Sequence, residues 1–191
     1  MSADTDARQL HDHAVSRRGP LTMGVLTMIV YGLAWLVAGV TGLPVPTGVR
    51  LALSLVGVVT AGAVLIAGGR LRARGPGRSR RVRPHSMRWF HLVNVAQTVA
   101  ILVAVLALLR AGAPGLIVVA VCLVVGAHFL PLARIFDVPG YWWTGGLLIL
   151  VAAAGAAAYG YGATNATVRS AIGLPAAVIL WATALEVSRR G

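Results

Sequence analysis

Apolar residues in this chain come in long solid runs, without the period-two alternation that outer-membrane strands require. A helix needs about 20 apolar residues to cross a ~30 Å hydrocarbon core. Six stretches have that length or nearly so: Leu21–Val40, Gly48–Gly69, Trp89–Leu109, Gly115–Ala133, Tyr141–Gly160 and Ser170–Val187. Lipid offers no partner to an open backbone, so each run is expected to be a helix. The predicted fold is all-α, a polytopic transmembrane six-helix bundle over residues 21–187. A polar leader, 1–20, is expected to be disordered, and a short tail covers 188–191. That leader is long and no clean small-residue cleavage site follows it, so the first span reads as an uncleaved helix rather than a signal peptide. Pro175 stands near the outer end of the last run. A helix beginning there is too short to span, which predicts a start near Val168–Ser170 and a kink.

The connections alternate in character. Thr41–Thr47, Arg110–Pro114 and Tyr161–Thr167 are short, turn-rich and poor in charge. The connection 70–88 instead holds Arg70, Arg72, Arg74, Arg78, Arg80, Arg81, Arg83 and Arg88. With both termini cytoplasmic, fourteen of the 17 arginines lie inside, and only Arg50, Arg110 and Arg169 lie outside. The opposite orientation breaks the positive-inside rule almost completely. Hairpins one-two, three-four and five-six give a faint threefold rhythm, without residue-level self-similarity.

Composition closes off other classes. Of 191 residues, 58% are apolar and 12% charged, and the mean hydropathy is +0.80. A soluble domain this small cannot hide so much apolar surface, and a disordered chain needs the reverse balance. The net charge of +12 taken alone suggests nucleic acid or an anionic surface, but topogenesis accounts for it. The Arg70–Arg88 loop has Gly75-Pro76-Gly77 and no aromatic stacking residue, so anionic lipid headgroups are its expected partner and nucleic acid is not. The single cysteine, Cys122, sits in an apolar run and forms no internal disulfide.

Small residues recur at four-residue spacing as Ala34/Ala38/Gly42, Gly57/Ala61 and Ala152/Ala156/Gly160, the pattern that lets helix backbones approach closely in lipid. Ala152–Ala158 has almost no bulky side chain on any face and is expected to be surrounded by other helices. Trp89 and Tyr141-Trp142-Trp143 open spans at the inner boundary, as interfacial anchors do.

Polar residues inside the spans are the candidate functional set. His91, Asn94 and Thr98 share one face of the third helix, with Gln97 at its margin. An amide in hydrocarbon without a partner costs roughly 2–7 kcal/mol, so this face is expected to point into the bundle or toward water. His128 precedes Pro131, which frees the Ala127 carbonyl. Arg134, Asp137 and Glu186 follow at the boundary. All fall in the cytoplasmic half, which predicts a cytoplasm-facing polar cavity floored near Asn94 and Gln97. There Asn94, Gln97 and His91 are candidate ligand contacts, and His128 is a tuning or gating group. Arg134 is an attractor of anions, and Asp137 and Glu186 are charge partners. Helix–helix hydrogen bonding and headgroup snorkelling explain the same residues without a ligand.

Motifs for chemistry are missing: there is no nucleophile elbow, zinc-protease helix, phosphate loop or Cys-x-x-Cys. His11-Asp12-His13 lacks further metal ligands, and Asn165-Ala-Thr167 is a glycosylation sequon only in a secretory pathway. No metal, no cofactor and no enzymatic activity are expected.

The string Gly126-Ala-His-Phe-Leu-Pro-Leu-Ala-Arg-Ile-Phe136, followed by Tyr141-Trp-Trp-Thr-Gly145 and by Leu180-Trp-Ala-Thr-Ala-Leu185, resembles a pattern in small uncharacterised bacterial multi-pass membrane proteins. It covers about the last third of the chain and is carried by His128, Pro131, Arg134 and Tyr141. The resemblance implies a six-helix bacterial inner-membrane protein and no particular activity. The expectation is therefore a plasma-membrane protein that binds or passes a small solute, ion or lipid. The alternative is a non-transporting scaffold or accessory subunit, as a homo-oligomer or with a protein partner.

Overall fold

The computed structural model describes residues 20–74 and 84–190, with side chains over 24–71 and 88–189. Most of the leader, His11-Asp12-His13 and the arginines from Arg78 to Arg83 fall outside that range. Among the described residues there are six long helices and no strand: α1 Pro20–Thr41, α2 Thr47–Arg74, α3 Pro84–Arg110, α4 Ile117–Phe136, α5 Gly140–Gly160 and α6 Asn165–Arg190. A single 3₁₀ turn, Pro114–Leu116, leads into α4. All six are long and apolar enough to cross a membrane.

The helices extend beyond the apolar runs. α2 continues through Arg70 to Arg74, and α3 is helical from Pro84 onward, in both cases as far as the described residues reach. α6 begins at Asn165, earlier than the Val168–Ser170 start expected, and continues through Pro175. Its first turn is capped by Thr164, whose hydroxyl accepts the Thr167 backbone N–H at 3.2 Å. α4 likewise runs unbroken through Pro131.

The bundle is built on an antiparallel α1–α6 pair. Gly32 lies against the Trp181 indole, Gly39 against Leu174, and Gly42 against Ala166 and Ser170. Gly173 in turn meets the backbone of Trp35 and Gly39. These glycines remove the side-chain layer that would hold the helices apart. The small-residue stripe expected at Ala34, Ala38 and Gly42 is corrected accordingly. Ala34 is exposed and Ala38 half-buried, while Gly32, Gly39 and Gly42 are the buried set.

α2 packs on α1 with Gly57 against Leu36, and Ala61 is buried as its stripe requires. α5 packs antiparallel on α4, where Gly126 and Gly145 approach each other's backbone, and on α6, where Gly155 receives Ile172. In α5 only Ala152 of the expected stripe is buried, and Ala153, Ala154, Ala156 and Ala157 are exposed. The alanine run is therefore not enclosed, because lipid exerts no pressure to bury a methyl group. α3 is the outlier. It packs chiefly on α4, and no residue from Arg88 to Arg110 is buried.

Candidate functional site

The seven candidate residues do not converge on one cavity. On α3, His91 is exposed, and Asn94 and Gln97 are half-buried. The Asn94 amide donates to the Phe90 carbonyl at 2.8 Å, and the Thr98 hydroxyl donates to the Asn94 carbonyl at 3.0 Å. Both groups thus satisfy themselves on their own helix, the usual resource of short polar side chains. Two of the polar positions that share a face are locally quenched.

His128 is half-buried on α4 and meets the backbone carbonyl of Val93 on α3. Its Nδ1 is buried and has no hydrogen-bond partner among the described residues. Close by, Phe90 packs edge-on against Phe136 with centroids 5.6 Å apart. His128 thus stands at the seam between α3 and α4 rather than beside a carboxylate.

The three boundary charges each serve a helix end. The Arg134 guanidinium lies 5.2 Å from the Trp142 ring centroid, a cation–π contact between the end of α4 and the start of α5. Asp137 adopts the left-handed conformation (φ 50°) that closes α4. The Ala133 carbonyl accepts N–H bonds from Asp137 and, at 3.1 Å, from Val138. Glu186 on α6 sets its carboxylate against Gly140, the first residue of α5. A Cβ there would come within 2.6 Å of Oε2. A negative charge at a helix N-terminus is favourable.

The strings Gly126–Phe136 and Tyr141–Gly145 meet at the α4–α5 junction, while Leu180–Leu185 lies on α6. Phe129 and Tyr141 pack edge-on at 5.5 Å, Arg134 covers Trp142, and Gly126 faces Gly145. The first two strings thus make up a helix hairpin.

Gln97 has a different setting. It lines a groove of about 360 Å³ with Thr98 and Ile101 of α3, Tyr31, Ala34, Trp35 and Ala38 of α1, and Val121 and Val125 of α4. α1 and α3 make no backbone contact with each other, so the groove is a gap between them with α4 behind it. Gln97 lies nine residues from Arg88 and thirteen from Arg110, about 13 and 20 Å from those ends at 1.5 Å per residue. Among the described residues neither the Gln97 amide nor the Tyr31 hydroxyl has a hydrogen-bond partner. Of the seven candidates, Gln97 alone enters this groove.

Interhelical hydrogen bonds that sequence reading missed hold the rest together. Thr144 and Thr183 join α5 to α6 at 2.7 Å. Ser170 donates to the Gly39 carbonyl at 2.9 Å, and the Trp181 indole N–H to the Ile29 carbonyl at 3.2 Å. The available signal was a hydroxyl or indole inside an apolar run. Among the described residues, no three His, Cys, Asp or Glu side chains gather as metal ligands.

No protein-family model matches this chain, and it has no significant match among curated proteins or solved structures.

Proposed function

We propose that this chain is a bacterial inner-membrane protein, with both termini cytoplasmic, that binds a small lipid-soluble amphiphile in the α1–α3–α4 groove and does no chemistry on it. The observation that carries this reading is the Gln97 amide, without a hydrogen-bond partner among the described residues, near the middle of a span in a groove of ligand-sized volume that Tyr31 also lines. An amide left in hydrocarbon is costly, and a ligand carrying one polar group removes that cost. Gln97 and Tyr31 hydrogen-bond the polar group, and Trp35, Ile101, Val121 and Val125 pack its apolar body. His128, at the Val93 carbonyl about one turn along α3, ties α3 to α4 beside the groove. With α1 and α3 apart, the ligand enters sideways from the bilayer. This narrows the range of solutes, ions and lipids to molecules that partition into membranes.

A scaffold or accessory-subunit role is the second reading. It is favoured by the bare surface of α3, which a partner helix or a second copy would cover.

Native mass spectrometry of the protein released from nanodiscs separates the two. The ligand reading expects a small adduct on the natural sequence, lost in both Gln97→Leu and the groove-filling Ala34→Phe. A dimer or a co-purifying protein, with no adduct sensitive to either change, overturns it in favour of the scaffold.

A further inference from the structure

A second groove, remote from Gln97, lies where α2 and α6 run side by side. The two helices touch at Gly68, which faces the Ser188 hydroxyl, and the groove of about 580 Å³ flanks that contact. α2 lines it with Ala63, Ile66, Ala67 and Leu71, all on one helical face, and Leu185 of α6 stands opposite. From Ala63 to Leu71 the apolar wall extends about 12 Å. At one end the chemistry changes: Arg70 of α2 and Arg189 of α6 both line the groove and are exposed. Among the described residues no acidic side chain pairs with either. Glu186, one turn before Arg189, is turned toward Gly140 at the head of α5.

We infer that this groove seats one anionic phospholipid, with its phosphate between Arg70 and Arg189 and an acyl chain along the Ala63–Ile66–Ala67 wall. Charge complementarity selects the occupant. Two guanidinium groups at one mouth, with no acid paired to either among the described residues, present donor forks matched to phosphate oxygens. Free phosphate would answer the arginines but leave the apolar wall uncovered. A neutral lipid would cover the wall and leave the two charges unanswered. Only an anionic amphiphile meets both ends.

The test uses the full chain in nanodiscs of phosphatidylcholine doped with phosphatidylglycerol, released into mild detergent and weighed intact. One retained phosphatidylglycerol is expected on the natural sequence. The Arg70→Gln/Arg189→Gln variant is expected to bind it roughly 30-fold more weakly, at about fivefold per arginine. Ala63→Phe, which fills the groove without touching the charges, is expected to lose it as well. Arg110→Gln/Arg169→Gln, at the other end of the bundle, is expected to leave it in place. Unaltered unfolding midpoints show that the variants are intact. Retention by the Arg70/Arg189 variant overturns the inference. Retention by Ala63→Phe also overturns it, because the attraction is then a property of the charged rim and not of the groove. Displacement of the lipid by soluble glycerol phosphate reduces the site to an anion site and refutes the role of the wall.

Discussion

Replacing Gly173 with alanine tests the central helix pair directly. A Cβ at this position would lie 2.5 Å from the Gly39 nitrogen, 2.6 Å from the Trp35 carbonyl oxygen and 2.7 Å from the Gly39 Cα. All three are backbone atoms, so no side chain can rotate away. Ordinary contact distances of 3.4–4 Å then require α1 and α6 to separate by roughly 1 Å, which forfeits about a quarter to a half of each dispersion contact along the seam. Overpacking of this kind costs about 1–3 kcal/mol. The flanking Ser170–Gly39 and Trp181–Ile29 hydrogen bonds stretch with it, at about 0.6 kcal/mol each. The helix preference for alanine returns up to about 1 kcal/mol. The expected net loss is about 1–3 kcal/mol. Gly62→Ala and Gly146→Ala are the controls, because nothing lies within 4 Å of a Cβ at either site. They are expected to be neutral or stabilising by up to about 1 kcal/mol. Unfolding in mixed micelles with rising sodium dodecyl sulfate, followed by tryptophan fluorescence, reads the difference, since the buried Trp181 indole lies at this interface against Gly32. If Gly173→Ala unfolds at the same point as Gly146→Ala, the α1–α6 register described here is wrong.

The Thr144–Thr183 bond should appear as a coupling of about 0.6 kcal/mol in a double-mutant cycle with valine; zero coupling would place the hydroxyls on their own helices only. Removing the α6 cap with Thr164→Ala should cost about 1 kcal/mol, measured by the same unfolding titration. Asp137→Asn should be tolerated, whereas Asp137→Val should lose roughly 1–2 kcal/mol, because a β-branched residue resists the left-handed conformation. Gln97→Leu should leave the unfolding midpoint unchanged or raise it, since no partner among the described residues is lost. A clear fall would assign the amide a structural bond instead.

Some of this was legible in the one-dimensional pattern. Six runs of about 20 apolar residues imply six helices, because hydrocarbon leaves the backbone no alternative to internal hydrogen bonding. Those runs are local properties and needed no knowledge of neighbours. Helix ends were less legible, since Thr164 acts through capping geometry while hydropathy only marks where polarity begins. The candidate site was the least legible part. His91, Asn94, Gln97 and Thr98 lie within two turns and read alike, yet Asn94 and Thr98 bond to their own helix while Gln97 opens onto a groove shared with α1. His128, Arg134, Asp137 and Glu186 share a depth, but they meet a carbonyl, an indole ring, a helix end and a helix start in separate places.

Position along an apolar run is a local property, and so the sequence alone determined how many helices are long and apolar enough to cross a membrane and which polar groups they carry. Partnership depends on which helix faces which. Apolar side chains meet lipid and protein almost equally well, so hydrophobicity carries no record of the facing surfaces in a membrane bundle. That choice rests on backbone fit, glycine against backbone at Gly39–Gly173 and glycine against indole at Gly32–Trp181. Only the assembled helices reveal it, and with it the gap between α1 and α3.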